Sequence, residues 1–160
     1  MKKGLRLKKL LELLKLRNEK KIIAVQADKL EKINIKTDTT VLLCLEAQKR
    51  GFKIFWYQPD SLTFIKNEVF AKGYYVDLFK SKNNFFKKKK YLEFNLIKSK
   101  YLLIRQNPPF NMDYINSTLY LDKISKYVKI INSPFSIRNI SEKFYSSKYL
   151  EYMPPTIFTK

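Results

Sequence analysis

Two short apolar runs separated by a helical pattern constrain this chain more than any other feature. Residues 22–25 read Ile-Ile-Ala-Val with no polar interruption, the pattern of a strand buried on both faces of a parallel sheet. Residues 53–57, Lys-Ile-Phe-Trp-Tyr, form a second such run. Between them a polar loop, 26–36, leads to Thr37 and Asp38, either of which can place a side-chain oxygen on the free amides of a helix start. The helix that follows is expected to turn Val41, Leu42, Cys44 and Leu45 inward, and Gly51 is placed to close it. Strand, helix, strand at this spacing implies a right-handed parallel crossover, because a tight turn cannot bring a strand alongside its predecessor in the same direction.

The rest of the chain extends this α/β pattern. Gln58-Pro59-Asp60-Ser61 is a turn expected to end the second strand, and two alternating segments around Lys66-Asn67-Glu68 predict an inserted hairpin over 63–79. Residues 81–90, with four consecutive lysines at 87–90, lack core periodicity and read as a solvated loop. A third buried strand is expected at 101–104, stopped by Pro108-Pro109. A helix follows over 112–127 with Ile115, Leu119 and Ile124 on its apolar side. A fourth strand at 128–131, a helix over 136–149 and an extended, strand-like end at 153–160 complete the chain. Residues 1–20 place Leu7, Leu10, Leu11 and Leu14 on one face of a basic amphipathic helix. The expected fold is a three-layer, Rossmann-like α/β domain with a mainly parallel sheet and an inserted hairpin.

The net charge of +19 invites a polyanion or membrane-surface partner, met by residues 1–20 and the lysine run. A compositional explanation competes with it. The 28 lysines far outnumber the five arginines, and Asn, Ile, Phe and Tyr are abundant; all of these enriched residues have AT-rich codons. Proteins that read phosphates or bases usually keep arginine for its bidentate fork, so drift is the simpler account. Nucleic acid and membrane are therefore not the expected partners. No apolar run approaches the roughly 20 residues of a bilayer span. The lone Cys44 cannot form an internal disulfide, and a cytoplasmic location is expected. Without histidine, no histidine base or ligand exists. Gly4, Gly51 and Gly73 are too far apart for a phosphate-cradling loop, and Cys44, on a predicted apolar face, reads as a structural thiol.

Two loops at the carboxyl ends of predicted parallel strands remain, the position where open α/β sheets bind ligands. The first gathers Asp28, Asn34, Lys36, Asp38, Thr39 and Thr40 at a helix N-terminus, whose amides and dipole favour an anion. Plain helix capping accounts for the same residues. The second is Arg105-Gln-Asn-Pro-Pro-Phe-Asn111, where a stiff diproline would hold an arginine ready for a carboxylate, as a ligand clamp or in a structural salt bridge.

These loops also carry a resemblance. Lys21-Ile-Ile-Ala-Val-Gln-Ala-Asp28, Ile33-Asn-Ile-Lys-Thr-Asp-Thr-Thr40, Leu45-Glu-Ala-Gln-Lys-Arg-Gly51 and Ile104-Arg-Gln-Asn-Pro-Pro-Phe-Asn-Met-Asp-Tyr114 are similar to the opening segments of prokaryotic glutathione synthetases. Ile131-Asn-Ser-Pro134, Ser136-Ile-Arg-Asn139, Ser141-Glu-Lys143 and Met153-Pro-Pro-Thr156 follow in that family's order, so the resemblance spans 21–160. It implies a ligase that joins glycine to γ-glutamylcysteine with ATP and Mg2+. Those cofactors would be held by a C-terminal ATP-grasp region starting near Thr156, and that region is not in this chain. The implied division is 1–20 as an extension, 21–155 as a pre-ATP-grasp substrate-side domain and 156–160 as the start of the absent region.

The resemblance further implies that Asn34, Lys36, Asp38, Thr39, Arg105, Pro108, Pro109 and Phe110 line the γ-glutamylcysteine side of the cleft, with Arg105 as the anion clamp. No catalytic residue, metal ligand or cofactor site is expected in the chain, which should be inactive without its ATP-grasp half. A homo-oligomer is expected for the complete protein. Ser141, Glu142 and Lys143 match a motif at the domain junction, where packing is expected. Asn107 and Asn111 stand where the family usually has aspartate, so a charge-dependent role there is not carried over.

Overall fold

The computed structural model of the chain describes residues 21–81, 84–140 and 144–159; the predicted helix over 1–20 and the Ser141-Glu142-Lys143 motif lie outside them. The order is β1 (Ile22–Gln26), α1 (Thr39–Lys49), β2 (Lys53–Ile65), β3 (Glu68–Leu78), β4 (Phe86–Asn95), β5 (Tyr101–Ile104), α2 (Met112–Asp122), β6 (Lys129–Ile131) and α3 (Pro134–Asn139). The six strands form one sheet in the spatial order β4-β3-β2-β1-β5-β6. The β1–β2, β1–β5 and β5–β6 pairs are parallel, and β3 runs antiparallel to both neighbours, so the sheet is mainly parallel.

β1 is central, which explains its uninterrupted apolar run. Ala24 faces a core containing Phe55, Leu102, Leu121 and Ile124 on the α2 side. Ile23 and Val25 face Val41, Cys44, Ile54 and Trp56 on the α1 side. Each fully buried aliphatic side chain of this kind contributes roughly 1.5–3 kcal/mol, and the two cores make three layers. Helix α1 begins at Asp38, whose carboxylate accepts from the amides of Thr40 at 2.7 Å and Val41 at 3.0 Å. It ends in a Schellman arrangement. Gly51, at φ +79°, donates to the Gln48 carbonyl, and Phe52 donates to that of Ala47.

Several expectations need correction. The Gln58–Ser61 stretch does not end β2. Pro59 has no amide to offer the ladder, so pairing with β3 lapses between Tyr57 and Leu62 and then resumes as far as Ile65. The hairpin then turns at Lys66 and Asn67, both at positive φ as a two-residue primed turn requires. The lysine run is not a loop. It lies in β4, an edge strand whose lysines discourage edge-to-edge pairing. Lys88 pairs with Glu31 at 2.6 Å and Lys89 with Asp77 at 2.7 Å.

Helix α2 stops at Asp122, and its buried face is Ser117, Thr118 and Leu121, while Leu119 is 46% exposed. Leu42 of α1 likewise points outward, 56% exposed, with Val41 and Cys44 taking the core positions. The helix expected over 136–149 is absent. α3 is six residues long, and a separate 3-10 segment, Phe144–Tyr152, contains Tyr149 at non-helical angles. No strand is present among the described residues at 153–159.

Candidate functional site

The carboxyl ends of β1 and β5 lie side by side, because the β1–β5 ladder continues one step beyond the strands through the Arg105 amide to the Gln26 carbonyl at 2.8 Å. Successive side chains then leave on opposite faces. Arg105 reaches the α1 side, where its Nε donates to Thr40 Oγ1 at 3.0 Å and a terminal nitrogen donates to Thr39 Oγ1 at 2.7 Å. Both acceptors are neutral hydroxyls. Among the described residues no carboxylate pairs with Arg105, and three of its five N–H donors have no partner.

The guanidinium thus stands at the positive end of α1, beside a helix terminus that itself favours an anion. Asp38 accepts from the Thr40 and Val41 amides and makes no ion pair with Arg105 among the described residues. Cys44 sits underneath, its thiol pushed up to about 12 by burial and further by the Asp38 charge, with Arg105 opposing. It is a core thiol, not a nucleophile.

On the α2 side the same strand ends build a polar wall. Gln26 is fully buried, and its Nε2 donates to Gln106 Oε1 and, at 3.3 Å, to Ser117 Oγ. Its Oε1 is buried with no hydrogen-bond donor among the described residues. Between the two sides, Asp28 Oδ2 accepts from the Asn107 side chain at 2.7 Å, pinning the β1 loop to the β5 loop. This wall borders a cavity of about 540 Å³ that also reaches the irregular stretch of β2 and the start of α2. Burial raises the Tyr114 hydroxyl at the cavity's edge above its ordinary pKa, and the nearby Arg105 charge partly opposes the shift.

The residues singled out from sequence divide accordingly. Thr39 and Arg105 touch, and Asp38 holds the helix end that positions Thr39. Asn34 caps its own turn, accepting from the Lys36 amide at 3.1 Å, and both residues are exposed with no contact to Arg105 among the described bonds. Pro108 and Pro109 are joined by a cis peptide, and Pro109 borders the cavity. Phe110 is half exposed and packs on Tyr114 at 5.0 Å between ring centroids.

Sequence reasoning missed Gln26, Gln106 and Ser117. A glutamine closing an otherwise apolar central strand was the available signal. Asn107 needs no negative charge for its present role, since it donates to Asp28, and Asn111 caps α2 by accepting from the Tyr114 amide.

No group of three His, Cys, Asp or Glu side chains among the described residues is placed to hold a metal ion. None of their helices is long and apolar enough to cross a membrane.

Comparison with known proteins agrees with this architecture. The family "Prokaryotic glutathione synthetase, N-terminal domain" matches residues 22–138. The glutathione synthetase of Mesorhizobium japonicum is 35% identical over 138 residues, covering 86% of this chain and 44% of the relative. That of Bradyrhizobium diazoefficiens is 36% identical over 143 residues with the same coverage. That of Buchnera aphidicola subsp. Schizaphis graminum is 33% identical over 141 residues, covering 86% of this chain and 43% of the relative. The chain therefore spans less than half the length of these curated relatives. It belongs to the prokaryotic glutathione synthetase family, whose N-terminal domain it carries.

Proposed function

We propose that the chain is the substrate-side lobe of a glutathione synthetase, binding γ-glutamylcysteine across the carboxyl ends of β1 and β5 so that glycine can be joined to it. The observation that carries this reading is Arg105, held by Thr39 and Thr40 with donors to spare and no carboxylate to satisfy it among the described residues. A structural salt bridge would have used those donors. A ligand carboxylate placed there gains charge-assisted hydrogen bonds and a favourable helix terminus together. Thr39, Asp38 and Arg105 form the working part of the predicted set. Asn34, Lys36, Pro108, Pro109 and Phe110 shape the loops around it.

ATP and Mg2+, which the family uses, do not fit the described residues. Three isolated glycines make no phosphate loop, and no carboxylate group converges as a metal site. We assign them to an ATP-grasp region outside these residues, with residues 21–155 as the present lobe, 156–160 as the junction and 1–20 as an extension. On this reading the working protein pairs the lobe with that region, assembles as a homo-oligomer and acts in the cytoplasm.

The test is calorimetric titration of the chain with γ-glutamylcysteine. Arg105→Ala should weaken binding by roughly tenfold or more, the effect of losing a charge-assisted pair. Unchanged affinity in that variant would remove Arg105 from the site. Glutathione synthesis by the purified chain alone, given ATP, Mg2+ and both substrates, would refute the assignment of the nucleotide elsewhere.

A further inference from the structure

Compositional drift explains why the chain has many lysines but not where they gather. The cavity beside Gln106 and Ser117 has no lysine or arginine in its lining. A second cavity, of about 720 Å³ on the α1 side of the sheet, is lined by Lys29, Lys32, Lys72 and Lys88. Drift alone would load both alike. The four lysines come from the turn after β1, from β3 and from β4, so the fold and not the local sequence brings them together. Two carboxylates border the same space. Glu31 is already paired with Lys88, and Asp60 is exposed. Lys29, Lys32 and Lys72 make no ion pair among the described residues.

The floor of this cavity is aromatic. Strand register sets Trp56 of β2 opposite Tyr74 of β3, and Tyr74 opposite Tyr91 of β4, so three rings form a row across neighbouring strands. Trp56 is buried in the α1-side core and Tyr74 packs against that core. The Tyr74 and Tyr91 rings lie 4.7 Å apart, and the Lys88 ammonium stands 4.7 Å from the Tyr74 ring centre. At the outer end of the row Tyr91 is 55% exposed, so the row runs out of the core into the open cavity. The wall opposite is fixed. Leu30, buried in the same core, anchors the 3-10 turn that carries Lys29 and Lys32, and the Lys32 amide donates to the Lys29 carbonyl at 2.9 Å. Trp56 Nε1 donates to the Asp28 carbonyl at 2.9 Å, tying that turn to β2. A preformed cavity spares a ligand the cost of ordering it.

Rings beneath unpaired ammonium groups meet the two needs of a single-stranded nucleic acid: a stacking surface for bases and point charges for phosphates. We propose that this cavity binds single-stranded nucleic acid without sequence preference, a base stacking on Tyr91 while the phosphates pass among Lys29, Lys32 and Lys72. Scarce arginine speaks against bidentate reading of base edges, but stacking on base faces needs no such fork. Arg105 does not border this cavity, so the proposal and the γ-glutamylcysteine reading stand or fall separately.

Trp56 is the one tryptophan of the chain, so its fluorescence reports on this cavity. The experiment titrates the whole chain with an oligothymidylate of about eight nucleotides and with an abasic strand of the same length and charge. The base-bearing strand should change Trp56 emission and bind more tightly than the abasic one by roughly tenfold. In Tyr91→Thr, which keeps a strand-favouring residue at an exposed position, that preference should vanish while affinity for the abasic strand stays. The pair Lys32→Gln, Lys72→Gln should weaken both strands by roughly tenfold and flatten their salt dependence. The charge-matched pair Lys123→Gln, Lys126→Gln, exposed just past α2, should weaken them far less. Equal affinity for the two strands in wild type, a preference that survives Tyr91→Thr, equal losses in the two lysine pairs, or binding that leaves Trp56 emission unchanged would each overturn the site and leave only attraction to the net charge of +19. Binding of neither strand would overturn it outright.

Discussion

Gly73 shows how one missing side chain sets the geometry near the site. It pairs with Tyr57 at the point where the β2–β3 ladder breaks, and β3 presses on β2 there. A Cβ at Gly73 would lie 2.3 Å from the Trp56 carbonyl oxygen and 2.8 Å from Tyr57 Cβ. Neither is the free end of a flexible chain. Gly73→Ala is therefore expected to cost about 2–3 kcal/mol in urea unfolding, the upper part of what overpacked cores lose; a loss below about 1 kcal/mol would show that the strands can separate. Cys44 gives a second prediction at this scale. Folding pushes its thiol up to about 12, so the folded chain keeps the proton while the unfolded chain releases it from near pH 9. The unfolded state then binds fewer protons, and stability is lost as pH rises from about 9 toward 12, by at most about 1.4 kcal/mol per unit from this group. Urea midpoints between pH 8 and 10.5 should fall less steeply in Cys44→Ala than in wild type, and parallel slopes would contradict the assignment.

At the scale of elements, α1 joins stability to the site. Asp38 satisfies two of its first amides, and the hydroxyls that hold Arg105 belong to the next two residues, Thr39 and Thr40. Asp38→Ala should lower stability by about 1 kcal/mol as a lost cap. It should also weaken γ-glutamylcysteine binding, because the first turn that orients Thr39 frays. A stability loss with unchanged affinity would mean that Arg105 holds the turn and not the reverse. The same helix marks the limit of what was legible in the sequence. Its ends were readable, since caps use local chemistry, but its inward face was not fully readable: an apolar stretch, Val41 to Leu45, offers several stripes, and only packing against the sheet chose Val41 and Cys44 over Leu42. β4 was hidden for the opposite reason. Four lysines carry no core signal, and an edge strand needs only one apolar face and a neighbour, which β3 provides. The loops holding Arg105, Thr39 and Asp38 were found because they follow strand ends. Gln26 was not legible with them, because only the fold brings its partners Gln106 and Ser117 to the end of β1.

For the whole molecule, net charge sets the final expectation. Among the described residues the ion pairs are few and mostly exposed, as with Lys88–Glu31 and Lys89–Asp77, and such pairs are worth roughly 0–1 kcal/mol each. Against them stands self-repulsion from +19 formal charges, which is stronger in the compact state than in the expanded chain. Salt weakens both terms, but the repulsion is summed over many distant like charges, while the pairs are short-range and survive screening better. Raising sodium chloride from about 20 to 300 mM should therefore raise the thermal midpoint, as the Debye length contracts from roughly 20 Å to below 10 Å. A falling midpoint would show that the ion pairs outweigh the repulsion. The ligand site should respond in the other direction. Arg105 is exposed and would bind an opposite charge, so affinity for γ-glutamylcysteine should decline modestly over the same range. Decline far steeper than one or two ion contacts explain would instead mark the ligand as one more anion on a basic surface, and would favour the polyanion reading over a shaped site.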